Sequence, residues 1–600
     1  MSCITRSMSR LLVAASVATL IGCSTVPATL PESPQVMVKA GDTAGAELHA
    51  VFDQAWEIIM RNNPTWASSM GDMRYNDRWA DLSLESIERQ HNEDKDMLKA
   101  LAKVNYDQLS DDDKLNYALF KQSYQEGVDE YQYRHFLIPL NQRGGIQSAD
   151  GIVNRMPFKT VKHYEDWIKR LQSFDTYMEQ TLALMRQGIK EGLIHPRVIM
   201  ERLPSQIDAQ ITDATDSAFY KPFNKRPDAI DASTFADLQA QGESAVANVV
   251  VPAYREMARF FKDEYLPATR SSVGVWDTPN GKPYYEQRAR KYTTTDLTPD
   301  EIHEIGLREV KRIREDMQDI IDSLEFNGSF SDFLTFLRTD PQFYHDTPEA
   351  LMQDYLATSK RIDPELVKLF SDLPRMPYGV KKIPDSIAPD TTTAYYSGPA
   401  ADGSRAGFYF VNLYRPEVRP KYEIEVLTVH EAMPGHHLQI ALAQELGDLP
   451  MFRRFGGYTA FIEGWGLYSE SLGDELGLYK DPFSKFGQHT YEMWRAVRLV
   501  VDTGIHYKGW SRERAIEYFK SNAAKAEYDI INEIDRYIAW PGQALAYKIG
   551  ELKIKELRAR SEQTLGDKFD IKAFHKVVLG SGAIPLQELE KNVDAWINSH

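Results

Sequence analysis

Apolar residues recur at helical spacing along almost the whole of this 600-residue chain, and no other feature constrains its fold as strongly. Leu48, Phe52, Ala55, Trp56 and Ile59 share one face of a 3.6-residue period, as do Trp167, Leu171, Phe174, Met178, Leu182 and Met185. With 42% hydrophobic residues there is ample material for a large buried core, and the pattern predicts a mainly α body. Thr298-Pro299-Asp300-Glu301 reads as a helix start, with Thr298 as N-cap, Pro299 at the first helical position and Glu301 closing a capping box. Only between Pro374 and Arg419 does the pattern change, to Pro, Gly, Tyr and alternating residues. Gly407 to Leu413 is the best strand candidate there, so a small β-sheet is expected just before the chemically richest segment. Gly281-Lys282-Pro283 reads as a loop. It divides a helical N-terminal region, 48–290, from a region 291–600 that holds every strong chemical signal, with an active-site cleft expected to divide the helical body.

The first residues predict export. Arg6 and Arg10 precede an apolar run from Leu11 to Ile21, too short for a stable membrane span but suited to a signal peptide over residues 1–22. Leu20-Ile21-Gly22-Cys23 resembles a bacterial lipobox, which implies lipidation of Cys23 and a Ser-, Thr- and Pro-rich tether within residues 23–47. The membrane is then met through the lipid anchor alone, with the body facing the periplasm; Ser24 after the cysteine resembles outer-membrane lipoproteins. Cys3, the only other cysteine, lies inside the signal, so the mature chain has no internal disulfide and must rely on packing. The formal charge of -17 becomes -19 once Arg6 and Arg10 are removed, which argues against nucleic acid as a partner.

The chemistry concentrates in His430-Glu431-Ala432-Met433-Pro434-Gly435-His436-His437. A hydrolytic Zn2+ site needs imidazole and carboxylate ligands, an open position, and a base beside it. Two histidines four apart on a helix, with Glu after the first, meet that need. The spacing here is longer. A regular helix turns about 600° over the six residues to His436, well off the face of His430, whereas His437 returns to that face but about 10.5 Å along the axis. Pro434 and Gly435 can break the regularity, and a local bulge would restore convergence, so His436 is preferred as the second ligand with His437 as the alternative. Glu463 is the expected third ligand: Ile462, Trp465 and Leu467 surround it with apolar sequence, where a buried carboxylate needs a cation. Glu470, seven residues on, can share its face, either supporting the site or facing solvent.

At these residues the chain resembles the bacterial family known as domain of unknown function 885, grouped with gluzincin metallopeptidases. The resemblance also runs through Tyr284-Tyr285, Tyr292-Thr293-Thr294, Gly398-Pro399 to Leu413, Glu463-Gly464-Trp465, Arg498 to Gly509, and Pro541-Gly542-Gln543 to Tyr547-Lys548. By analogy the chain is similar to helical oligopeptidases and dipeptidyl carboxypeptidases, including the angiotensin-converting class, whose closing glutamate follows the second histidine at a separation like that of Glu463 from His436. The resemblance implies zinc-dependent hydrolysis of short peptides, Glu431 taking a proton from the attacking water and passing it to the departing amine. Tyr547 and His506 are candidate donors to the oxyanion, Arg498 and Arg536 candidate clamps for a substrate carboxylate, and Asn412 a further polar contact beside a strand that could pair with substrate. Zinc-dependent cleavage of a non-peptide or cell-wall-derived amide, or a non-catalytic envelope binding role, are the alternatives.

Overall fold

The computed structural model describes residues 43–385, 387–400, 403, 405–447 and 449–600. The signal segment, Cys23 and most of the tether lie outside the described residues. The fold is mainly α. Helix α1 (Thr43–Asn62) buries Leu48, Phe52 and Ala55, as their spacing dictates. The second apolar stripe is shared by two helices, α2 (Val161–Gln172) and α3 (Phe174–Glu191), which meet at Ser173. Trp167, Leu171, Phe174, Met178, Leu182 and Met185 all remain on the buried side across that junction.

Gly281-Lys282-Pro283, expected to mark a loop, instead opens helix α4 (Gly281–Thr293). The boundary expected at residue 290 therefore falls within a helix, and the main apolar core draws residues from both sides of it, from Trp79 to Val593. The capping box at Thr298 forms as the sequence requires: its hydroxyl accepts from the Glu301 amide, and the Glu301 carboxylate accepts from the Thr298 amide. Helix α5 (Pro299–Ser323) starts there and lies along α9 (Pro482–His506). Gly306 allows the approach, since a Cβ there would stand 2.7 Å from that of Leu499. Ile313 and Met317 of α5 are fully buried, each burial contributing roughly 1.5–3 kcal/mol.

The sheet has three strands, β1 (Tyr378–Lys382), β2 (Ala394–Ser397) and β3 (Gly407–Val411), in the order β1-β3-β2. β3 pairs parallel with β1 and antiparallel with β2. Its alternate residues Gly407, Tyr409 and Val411 are buried, the two-residue period of a strand with one face on a core. The expected strand is thus present but central; the edge strands are β1 and β2. Asn412 is not a substrate contact. Fully buried, its side-chain amide donates to the carbonyls of Ala388, Thr391 and Thr392, and its oxygen accepts from the Tyr414 amide, fixing the loop that delivers β2.

Candidate metal centre

The lengthened histidine segment folds as two short helices with a break rather than as one bulged helix. α6 (Ile424–Glu431) ends with His430 and Glu431, and α7 (His436–Glu445) begins with His436 and His437. Between them Ala432 and Gly435 leave the helical region, with φ/ψ of -104/-107 and -74/-125. The return is tight: the Gly435 amide donates to the Val429 carbonyl at 2.9 Å, and a Cβ at Gly435 would sit 1.9 Å from the His430 oxygen. Only glycine tolerates that approach.

Helix α8 (Thr459–Ser471) crosses this break and supplies what the break lacks. Glu463, Gly466 and Glu470 fall on one stripe of α8, as their spacing of three and four residues requires. Glu463 Oε2 lies 3.3 Å from His436 Nε2 and 3.7 Å from His430 Nε2. Gly466 leaves room for the His430 ring, since a Cβ there would stand 2.9 Å from it. Glu470, almost fully buried, bonds His430 Nδ1 at 2.8 Å and so leaves Nε2 as the nitrogen that faces Glu463. Arg495 of α9 stands 3.5 Å behind Glu470.

Two nitrogens and one oxygen therefore converge, all within 4.8 Å of one another. Ligands about 2.1 Å from one tetrahedral ion stand roughly 3.4 Å apart, which these two separations bracket. Glu463 Oε2 is buried without a hydrogen-bond partner, which leaves it free to meet a cation. The electrostatics agree. Burial would raise the Glu463 carboxyl, but His436 and His430 hold it well below the usual carboxylate range. Burial would lower His430, but Glu463 and Glu470 lift it to about 9, so the cluster draws positive charge. The donor set fits zinc.

His437 points elsewhere. Its Nε2 donates to the Met376 carbonyl at 3.0 Å, its Nδ1 accepts from the Tyr396 hydroxyl at 2.8 Å, and burial lowers its pKa to about 4. It ties α7 to the sheet. His506 is also placed away from the site: fully buried at the end of α9, it accepts from the Val275 amide and donates to the Tyr537 carbonyl. Both its nitrogens are engaged with backbone, and burial lowers it to about 3, so it is no oxyanion donor.

The triad and Glu431 line a cavity of about 330 Å3. Thr392 to Tyr396, including most of β2, form one wall; α9, α10 (Glu527–Ala539) and Tyr547 of α11 (Ala546–Leu565) form the other. The Tyr547 ring lies 6.5 Å from that of His430 and nearly parallel to it, and burial, reinforced by Glu463, pushes its hydroxyl pKa up, so it stays protonated. Arg498 and Arg536 both bond Glu533 Oε2, and Arg536 also donates to Gln543 at 2.6 Å. Two further arginines line the cavity that the sequence did not single out: Arg495, on the same helical face as Arg498, and Arg143, in a loop whose Asn141-Gln142-Arg143-Gly144-Gly145 sequence carries no periodic signal.

A mainly α body with a small sheet, opened by a cavity at whose floor two histidines and a glutamate converge, defines a helical protein with a candidate mononuclear metal site. The chain belongs to the family described as "Bacterial protein of unknown function (DUF885)", whose model matches residues 64–593. It is similar to the crystal structure of "the putative lipoprotein from Colwellia psychrerythraea", with 31% identity and a TM-score of 0.88, covering 93% of this chain and 100% of that one. "A putative lipoprotein of unknown function from Shewanella oneidensis" shares the fold at 18% identity and a TM-score of 0.70, covering 91% of this chain and 99% of that one. No curated protein matches the chain.

Proposed function

We propose that the chain is a zinc-dependent peptidase acting on short peptides, anchored in the cell envelope by a lipid on Cys23 and facing the periplasm from the outer membrane. The observation that carries this reading is the convergence of His430, His436 and Glu463 within 4.8 Å, with Glu431 beside them on the same cavity. When bound there, zinc supplies a Lewis acid that polarises a scissile carbonyl. Glu431 accepts a proton from the water whose oxygen adds to the carbonyl carbon, and returns it to the amine nitrogen as the C–N bond breaks. The Tyr547 hydroxyl donates to the oxyanion that forms on the carbonyl. An extended peptide adds its backbone to the free edge of β2, which lines the cavity and whose other side is held by β3. The cavity suits a few residues rather than a folded protein. The anchor is supported by the Leu20-to-Cys23 segment and by the lipoprotein naming of both structural neighbours.

Metal analysis of the native protein, paired with turnover of a short-peptide library by wild type and Glu431→Gln, tests this. One zinc per chain and a loss of at least about 100-fold in kcat are expected. A native protein without zinc, or one that cleaves no peptide, overturns the reading; undiminished turnover in Glu431→Gln overturns the assigned base.

A further inference from the structure

The wall opposite β2 carries more positive charge than it neutralises. Arg143, Arg498 and Arg536 line the cavity there, and Glu533 is the one carboxylate among them. Every nitrogen of Arg536 already donates, Nε and Nη2 to Glu533 and Nη1 to Gln543. Arg498 differs. Its Nε donates to the Tyr537 hydroxyl and its Nη2 to Glu533, while Nη1 is buried with no partner. A buried guanidinium N–H without an acceptor is costly unless something else supplies one. Arg143, an exposed residue whose guanidinium is nevertheless pulled below its ordinary pKa by burial beside the same cavity, has no ion pair among the described residues. Of the two arginines expected to clamp a carboxylate, Arg498 thus keeps a nitrogen without a partner, while each nitrogen of Arg536 already meets Glu533 or Gln543.

We propose that Arg498 Nη1 and Arg143 bind the free C-terminal carboxylate of the peptide, so that the substrate class is short peptides with an unblocked C-terminus. This rests on the hydrolytic reading of the same cavity. The distance sets where the cut falls. Arg498 Cζ lies 4.1 Å from the centre of the Tyr547 ring, itself 6.5 Å from the centre of the His430 ring, so Cζ is no more than roughly 11 Å from the centre of that imidazole. An extended chain covers about 3.3–3.6 Å per residue, so about one to three residues separate the scissile carbonyl from the bound carboxylate. Internal bonds of longer peptides lie out of register.

Calorimetry of the zinc-loaded Glu431→Gln variant with one tripeptide, as free acid and as C-terminal amide, tests the carboxylate site without turnover. The acid is expected to bind roughly tenfold or more tighter, charge-assisted bonds being the stronger kind, and Arg143→Gln, a change on an exposed side chain, narrows that gap. Equal affinity for acid and amide overturns the inference and leaves the hydrolytic reading standing. Acid-selective binding by a protein whose wild type cleaves nothing overturns the hydrolytic reading and leaves the carboxylate site. With wild type, mass spectrometry of a ten-residue peptide is expected to show release of one to three C-terminal residues; cleavage in its middle overturns the assigned register.

Discussion

The indole N–H of Trp465 donates to the carbonyl of Pro434 at 2.8 Å, pinning the break between the two histidine-bearing helices to the helix that carries Glu463. Trp465 and Ser469 form one stripe of α8 and Glu463, Gly466 and Glu470 the adjoining one. The first stripe holds the backbone of the break, and the second meets its imidazoles. One helix thereby fixes both the path of the chain and the side chains that the path presents.

Trp465→Phe keeps an aromatic ring, removes the donor and leaves a small void at a fully buried position. The Pro434 carbonyl would be left with Ser469 Oγ at 3.5 Å, so a stability loss of about 1–3 kcal/mol is expected. Zinc affinity should fall as well, because His436 begins directly after the freed segment. Thermal melts with and without zinc check both; a variant with unchanged melting and unchanged zinc titration would show that the bond does not organise the site.

His436 and His437 are neighbours with opposite tasks, and their alanine variants should separate cleanly. His436→Ala removes one of the three converging side chains and its 3.3 Å contact with Glu463, so zinc stoichiometry should collapse while the metal-free melting temperature falls less than in His437→Ala. His437→Ala breaks the bonds to Tyr396 and the Met376 carbonyl, so it should lower the melting temperature while retaining one zinc per chain. Elemental analysis beside calorimetry reads both quantities, and a reversed pattern would exchange the two assignments.

The helical body was legible because amphipathic periodicity survives any tertiary arrangement, and the Thr298 cap because it is made by residues three apart. The triad His430, His436 and Glu463 was legible from residue type, although ideal helical angles placed His436 off the face of His430. What restores convergence is backbone outside the helical region at Ala432 and Gly435, and sequence marks the place of such a break but not its form. Asn412 and His506 differ from expectation for a shared reason: polar side chains that satisfy a neighbour's backbone look, in sequence, like ones offered to a ligand. Arg143 comes to the cavity through long-range packing that no local pattern records.

Glu470→Gln tests the support behind His430. The amide can still meet Nδ1, but the charge that favours its N–H is lost, and Arg495 loses its anionic neighbour at 3.5 Å. Zinc affinity is expected to fall about 10–100-fold, the usual range for partners that orient a ligating imidazole. Competition with a chromophoric chelator measures it; an affinity within twofold of wild type would mean that His430 is held by packing alone.

Asp502 gives the protein a pH dependence that can be assigned to one residue. It is fully buried, accepts from the Tyr285 hydroxyl at 2.6 Å and from the Gly542 amide at 3.0 Å, and its other oxygen has no partner. Burial pushes its pKa up to about 7 against these bonds and the attraction of Arg536 and Arg288. A folded-state pKa above the unfolded value of about 3.9 means that the folded chain binds a proton the unfolded chain releases. The stabilisation is complete below about pH 4 and is lost as pH rises to about 7, above which both states are ionised. Asn at this position keeps the oxygen acceptor and cannot ionise, so Asp502→Asn should gain on wild type between about pH 4 and pH 7 and hold a constant advantage above that. Denaturant midpoints of the two proteins across this range decide it, and a difference independent of pH would show that Asp502 does not change ionisation on folding.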